Sequence, residues 1–146
     1  MFLWLGNWLK NAERKLMTKQ VVLDASAVLA YLQDESGSDK VGVFLSEGRA
    51  IISAVNFAEV VGKLLEAGLP EPSVKTVIGL LELQVEPLDD KQAWQTGMLR
   101  MSTREFGLSL GDRACLALAY IKKLPVVTAD KQWDKLKMDI KIIQLR

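Results

Sequence analysis

The sequence predicts a single α/β domain built on a central, mostly parallel sheet with helices on both faces, a three-layer α/β/α arrangement. Three observations point there. Short apolar runs (Val21 to Leu23, Ala50 to Ile52, Pro125 to Thr128) have the length of strands that are covered on both sides. Longer segments with apolar residues at helical spacing separate them, so strand and helix alternate along the chain. The 146 residues, 49% hydrophobic and 25% charged, are enough for one core and match an ordinary globular composition.

The first sixteen residues differ from the rest. Trp4, Leu5, Trp8, Leu9, Ala12 and Leu16 recur at helical spacing, with Lys10, Arg14 and Lys15 off that stripe. Two readings stand: an amphipathic helix that touches a membrane, a partner or the domain, or an artefact of gene-start assignment with Met17 as the true start. The chain is divided accordingly into an extension, residues 1–18, and a domain, residues 19–146. The first strand, Val21 to Leu23, ends at Asp24. Ala27, Val28, Ala30, Tyr31 and Leu32 follow at helical spacing, then a polar loop from Gln33 to Asp39 with Gly37 inside it, then a second helix from Val41 to Leu45. After the strand Ala50 to Ile52, Phe57, Val60, Val61, Leu64 and Leu65 mark one face of a helix that Gly68 and Pro70 stop. A helix from Pro72 to about Leu83 and a strand-like piece from Gln84 to Leu88 come next. Asp89 and Asp90 can cap a long helix carrying Trp94, Met98 and Met101, which ends near Gly107. Ser109 opens a helix that is apolar almost all round, and Pro125 to Thr128 and Ile140 to Leu145 are the last strands.

Composition excludes several chemistries. The chain has no histidine, which removes Ser-His-Asp hydrolases, Cys-His proteases, histidine acid–base ribonucleases and histidine-ligated metal sites. One cysteine, Cys115, forms neither an intrachain disulfide nor a Cys-rich zinc site, and it reads as a small core residue of a cytoplasmic protein. No apolar stretch is long enough to span a membrane, and no signal-peptide pattern is present. The net charge of +1 gives no strong overall field toward nucleic acid. An enzyme of this composition works through carboxylates, hydroxyls, Lys and Arg, and carboxylates favour Mg²⁺ or Mn²⁺.

The acids fall at informative places. Ligands of open parallel sheets bind beyond the carboxyl ends of the strands, and Asp24 and Asp130 each follow a strand end. Each reads equally as a helix N-cap. Glu59 lies early on its helix, on the side shared with Asn56 and Lys63, where it is either a solvated glutamate or a pocket acid; Asn56 is a cap or a polar orienter of the pocket. Asp112 stands at capping-box spacing from Ser109, yet the helix it opens is buried, and an ionised carboxylate near a core is costly unless paired or metal-bound. Ser26 and Thr128 each lie two residues from an acid and can orient a water or a phosphate, or simply cap a turn. Arg100, Arg104 and Arg113 are weaker candidates for contact with phosphate.

Four motifs tie these residues together. Val21-Val22-Leu23-Asp24-Ala25-Ser26, Asn56-Phe57-Ala58-Glu59-Val60, Leu108-Ser109-Leu110-Gly111-Asp112-Arg113 and Val126-Val127-Thr128-Ala129-Asp130 resemble, in this order, the motifs of PIN domains, most closely the VapC toxins of toxin–antitoxin pairs. The resemblance covers Lys19 to Leu145. It implies a three-layer α/β/α fold; a metal site of Asp24, Glu59, Asp112 and Asp130 holding Mg²⁺ or Mn²⁺ with Ser26 or Thr128 assisting; endoribonuclease activity on RNA; a homodimer; and a cognate antitoxin that covers the site. Hydrolysis by a metal-activated water would leave a 5′-phosphate and a 3′-hydroxyl. Two other readings remain: a catalytically silent PIN fold serving protein interaction, and an acidic phospho-signalling domain. The second lacks the acidic pair such domains carry after the first strand. A phosphatase with Asp-x-Asp and a dinucleotide-binding enzyme with Gly-x-Gly-x-x-Gly both lack their motif there.

Overall fold

The computed structural model describes residues 3–17 and 19–146, with side chains for 3–11 and 19–146. The strands and helices alternate as the sequence predicts. They are α1 (Leu3–Met17), β1 (Val21–Leu23), α2 (Ala25–Leu32), α3 (Asp39–Ser46), β2 (Ala50–Ser53), α4 (Ala54–Glu66), α5 (Glu71–Leu81), β3 (Gln84–Glu86), α6 (Asp90–Ser102), α7 (Leu110–Lys122), β4 (Val126–Thr128) and β5 (Ile142–Gln144). Short 3₁₀ helices, Arg104–Phe106 and Lys131–Lys135, follow α6 and β4.

The five strands form one sheet in the order β3-β2-β1-β4-β5, and every pairing is parallel. The chain winds outward from β1 through β2 to β3, then returns to the other side of β1 and winds outward through β4 to β5. The switch point therefore lies between β1 and β4, where the connections leave in opposite directions and open a crevice.

Strand alternation splits the core in two. Val21 and Leu23 face a cluster with Ala27, Val28, Val41 and Val60, under α2, α3 and α4. Val22 faces the other cluster, with Leu99, Leu116, Val126 and Trp133, under α6 and α7. Both faces of the central strands are thus covered, which is why they are uniformly apolar. The edge strand β3 is not: Gln84 and Val85 are exposed. Polar side chains set where the helices begin. Ser53 caps α4 by accepting from the Val55 N–H at 3.3 Å, and Asp89 caps α6 by accepting from the Gln92 N–H at 2.8 Å. Gly37 sits at a φ of 82°, and a Cβ there would strike the carbonyl of Leu145, so only glycine lets this loop lie against the last strand.

Two details differ from the sequence reading. The residues used to recognise α6 do not form its buried face: Trp94, Met98 and Met101 are exposed, and Gln92, Thr96 and Leu99 pack inward. The last strand is confined to Ile142–Gln144, the three residues that pair with Val126–Thr128; the chain bends at Met138, Asp139 and Ile140 before it. Residues Leu3–Met17 of the extension form the helix α1, with Trp4 and Trp8 67% and 61% exposed. Ala12, Arg14, Lys15, Leu16 and Met17 have side chains outside the described residues, as does the whole of Thr18. Among the described residues, no helix is long and apolar enough to cross a membrane.

Candidate active site

Asp24, Glu59, Asp112 and Asp130 line one cleft of about 430 Å³ at the carboxyl end of the sheet, together with Ser26, Lys63 and Glu66. Each acid arrives on a different element. Asp24 ends β1 and Asp130 follows β4, the two strands that flank the switch point, while Glu59 comes from α4 and Asp112 from α7. Among the described residues, five acids thus share the cleft wall with one lysine, Lys63, which pairs with Glu66 at 3.4 Å.

Asp24 is the buried member, 4% exposed. It stands at the N-cap position of α2, but its side chain makes no cap hydrogen bond. Its Oδ2 instead accepts from Ser26 Oγ at 2.6 Å and from Thr128 Oγ1 at 2.9 Å. The two hydroxyls are themselves anchored: Ser26 Oγ accepts from the Ala129 N–H and Thr128 Oγ1 from the Asp130 N–H, both at 3.0 Å. The ends of β1 and β4 are locked by this network, and the Asp24 side chain is engaged in it rather than in a cap of α2. Burial pushes the Asp24 carboxyl up to about 6; the two hydroxyls pull it back, and the negative charges of Asp112 and Glu59 raise it again.

Asp112 both caps α7 and lines the cleft. Its Oδ2 accepts from the Ser109 N–H at 2.9 Å and Ser109 Oγ accepts from the Asp112 N–H at 3.1 Å, a complete capping box that fixes the carboxylate at the mouth of α7. Asp130 likewise caps Lys131–Lys135 by accepting from the Gln132 N–H at 2.9 Å. Glu59 is exposed and is steered by Asn56, which is fully buried. The Asn56 Nδ2 donates to Glu59 Oε2 at 3.2 Å and to the carbonyl of Gly111 at 3.0 Å, tying α4 to the first turn of α7. Asn56 is therefore the orienter, and Ser53 the cap. Cys115 is wholly buried beneath the cleft, and burial, then the charges of Asp24, Asp112 and Glu59, push its thiol well up. It is inert packing.

Gly111 deserves its place beside Glu59. A Cβ there would collide with the Glu59 carboxylate. Gly111→Ala is expected to leave α7 as stable or up to about 1 kcal/mol more stable, since alanine is the better helix former, while turning Glu59 out of the cleft. Thermal melts beside an assay of the site would read both effects; a site unaffected by the substitution would mean that Glu59 is not held where Gly111 allows it.

The arginines do not join this site. Arg113 Nη1 donates to the Thr96 carbonyl at 3.1 Å and so fastens α7 to α6. Arg100 and Arg104 are exposed, and neither lines the cleft. The cation that does is Lys63, one helical turn beyond Glu59 on α4, a position visible in the sequence only as the neighbour of a candidate acid.

The four acids are all hard oxygen donors, which suit a small divalent cation, and the mutual repulsion that raises Asp24 is what such a cation relieves. Among the described residues no three acids stand close enough to close on a single ion as placed. Glu59 is the most exposed of the four and is held by one hydrogen bond, so it has the most freedom to approach.

An all-parallel α/β/α sandwich with a carboxylate cleft at its switch point defines a class of acidic-site domains. Within that class this chain belongs to the PIN domain family, whose model matches residues 21–138. No curated protein sequence matches the chain. Several solved structures share its fold. A DNA-bound VapBC from Salmonella typhimurium is 20% identical with a TM-score of 0.69, over 88% of this chain and 100% of that one. A toxin–antitoxin complex from Klebsiella pneumoniae is 16% identical with a TM-score of 0.65, over 87% and 98%. VapBC-5 from Mycobacterium tuberculosis, of the VapBC family of toxin–antitoxin systems, is 24% identical with a TM-score of 0.59, over 87% and 99%.

Proposed function

We infer that this chain is a divalent-metal-dependent endoribonuclease and the toxin of a toxin–antitoxin pair. The observation that carries the reading is the meeting of Asp24, Glu59, Asp112 and Asp130, from four separated stretches of sequence, in one cleft. Membership of the PIN family and the likeness in fold to toxin–antitoxin complexes support it. The four carboxylates would hold Mg²⁺ or Mn²⁺. When bound, such an ion supplies positive charge against a phosphodiester in reaction and makes water acidic enough to attack near neutral pH.

The chain's own residues do the rest. Ser26 and Thr128 aim Asp24 and favour its ionised form. Asn56 holds Glu59, and the capping box holds Asp112. Lys63, on the cleft wall, pairs at 3.4 Å with the exposed Glu66 and would exchange that partner for a phosphate oxygen. With no histidine in the chain, an imidazole-assisted attack by the RNA 2′-hydroxyl has no residue to run on, so the products carry a 5′-phosphate and a 3′-hydroxyl. A homodimer, a cognate antitoxin over the cleft and a cytoplasmic setting belong to the same reading.

The test is cleavage of a structured RNA by purified, partner-free protein with Mg²⁺ or Mn²⁺, beside EDTA and Asp112→Asn. Cutting is expected to stop in EDTA and to fall by at least about 100-fold in the variant, the scale on which disturbed metal sites lose activity. Cutting that survives both controls would sink the assignment, and 2′,3′-cyclic phosphate ends would sink the hydrolytic route.

A further inference from the structure

A second and larger cavity, of about 1180 Å³, lies at the opposite pole of the sheet. Its wall includes Lys19 and Val21 at the start of β1, Arg49 just before β2, and Lys141 just before β5. These are the amino ends of the strands, whereas the acidic cleft lies at their carboxyl ends. The charge is inverted as well. Among the described residues, Lys19, Arg49, Lys91, Lys123 and Lys141 line the cavity against one acid, Asp139. The overall charge of +1 conceals this separation of a basic pole from an acidic one.

Lys19, Lys91, Lys123 and Lys141 are exposed and make no ion pair among the described residues. Arg49 is fixed in place: its Nε donates to the Lys19 carbonyl at 2.7 Å, its Nη1 meets Glu47 at 2.9 Å, and its guanidinium lies 5.0 Å from the Phe44 ring centre. Two aromatic side chains of the wall are open to solvent, Trp94 at 74% and Tyr120 at 50% exposure. Lysines that track a phosphate chain, with exposed aromatic faces on which bases stack, are the means by which proteins hold single-stranded nucleic acid. An acidic peptide would use the lysines but would have no use for the rings.

We propose that this cavity is a second nucleic-acid site, an exosite that holds a single-stranded segment of the RNA whose scissile bond lies in the acidic cleft. That the strand is the substrate rests on the nuclease reading; the cavity's affinity for single-stranded polyanion does not. Four lysines on phosphate give a log–log dependence of affinity on salt of about −3 for a single strand, or a fall of about 50-fold between about 50 and about 200 mM salt. Trp94 contributes by stacking and adds nothing to that slope.

The experiment is fluorescence anisotropy of a labelled oligouridylate of about twelve nucleotides with the full chain in EDTA, where no cleavage occurs. Lys123→Ala with Lys141→Ala is expected to flatten the slope by about 1.4. Trp94→Ala is expected to weaken binding about tenfold with the slope unchanged. Lys123 closes α7 with a left-handed φ of 54°, the conformation glycine prefers, so Lys123→Gly should raise the melting temperature while weakening binding, which separates charge from folding. Salt-insensitive binding, loss confined to Lys63→Ala, or equal binding of polyglutamate would overturn the proposal. Cleavage in Mg²⁺ without oligonucleotide binding in EDTA would overturn it and leave the nuclease standing. Binding with the expected variant pattern but no cleavage would uphold it and remove the nuclease.

Discussion

Asp24→Asn is expected to stabilise the metal-free protein at neutral pH while abolishing the RNA cleavage proposed for it. The Asp24 carboxyl ionises at about 6 in the folded chain against 3.8 when freely hydrated. Below about pH 4 it is protonated in both states and costs nothing. As pH rises toward 6 the unfolded chain loses its proton first, so folding stability falls through this window. Above it the folded state carries the whole penalty, about 3 kcal/mol at about 1.4 kcal/mol per pH unit. Asparagine keeps an oxygen for the Ser26 and Thr128 hydroxyls and carries no charge. The variant should melt roughly 5–10 °C higher than the wild type at pH 7.5, with the gain vanishing near pH 4. Added Mg²⁺ should stabilise the wild type and leave the variant unmoved. Equal melting temperatures at pH 7.5 without metal would mean that the buried charge is compensated in a way the network around Asp24 does not provide.

Trp133→Ala carries the second large effect. Trp133 is the largest wholly buried side chain and lies in the 3₁₀ helix Lys131–Lys135. Its indole packs into the cluster of Val22, Leu116 and Val126, while its backbone N–H donates to the Asp130 carbonyl at 3.2 Å. Truncation of such an aromatic costs about 3–5 kcal/mol through lost burial and the cavity left behind. Because the same residue pins the turn that begins at Asp130, the surviving folded fraction should also bind metal more weakly. Urea unfolding would give the stability, and metal titration under conditions where the variant is folded would give the second effect. A variant with a full stability loss but wild-type metal affinity would separate Asp130 from its anchor.

Much of this was legible in the sequence, for a definite reason. The central strands are covered on both faces, so Val21 to Leu23, Ala50 to Ile52 and Val126 to Thr128 read as unbroken apolar runs, and the acids at their ends follow from the parallel fold. Local pattern could not decide what those acids do, because a helix N-cap and a strand-end site ask for the same residue at the same place. The deciding contact at Asp24 comes from Thr128, a residue invisible to any local window. Charge type failed similarly for the arginines: Arg113 looks like Lys63 as a candidate for phosphate, but one fastens two helices and the other faces the cleft. In α6 the apolar side chains that announce the helix point to solvent, while Gln92 and Thr96 are buried, with the Thr96 hydroxyl satisfied by the Gln92 carbonyl at 2.7 Å. The basic cavity draws its residues from many short stretches, and no one of them has a distinctive composition.

The bond from Thr128 to Asp24 joins residues 104 positions apart. Its consequence belongs to biosynthesis. A ribosome adding about 5–20 residues per second needs roughly 5–20 seconds to pass from one to the other. Throughout that interval β1 has no β4 beside it, and the carboxylate of Asp24 has neither its second hydroxyl nor Asp130 across from it. A nascent chain halted anywhere before Thr128 therefore lacks Asp130 and cannot close the cleft, and whatever chemistry the finished molecule performs is withheld until β4 has been made.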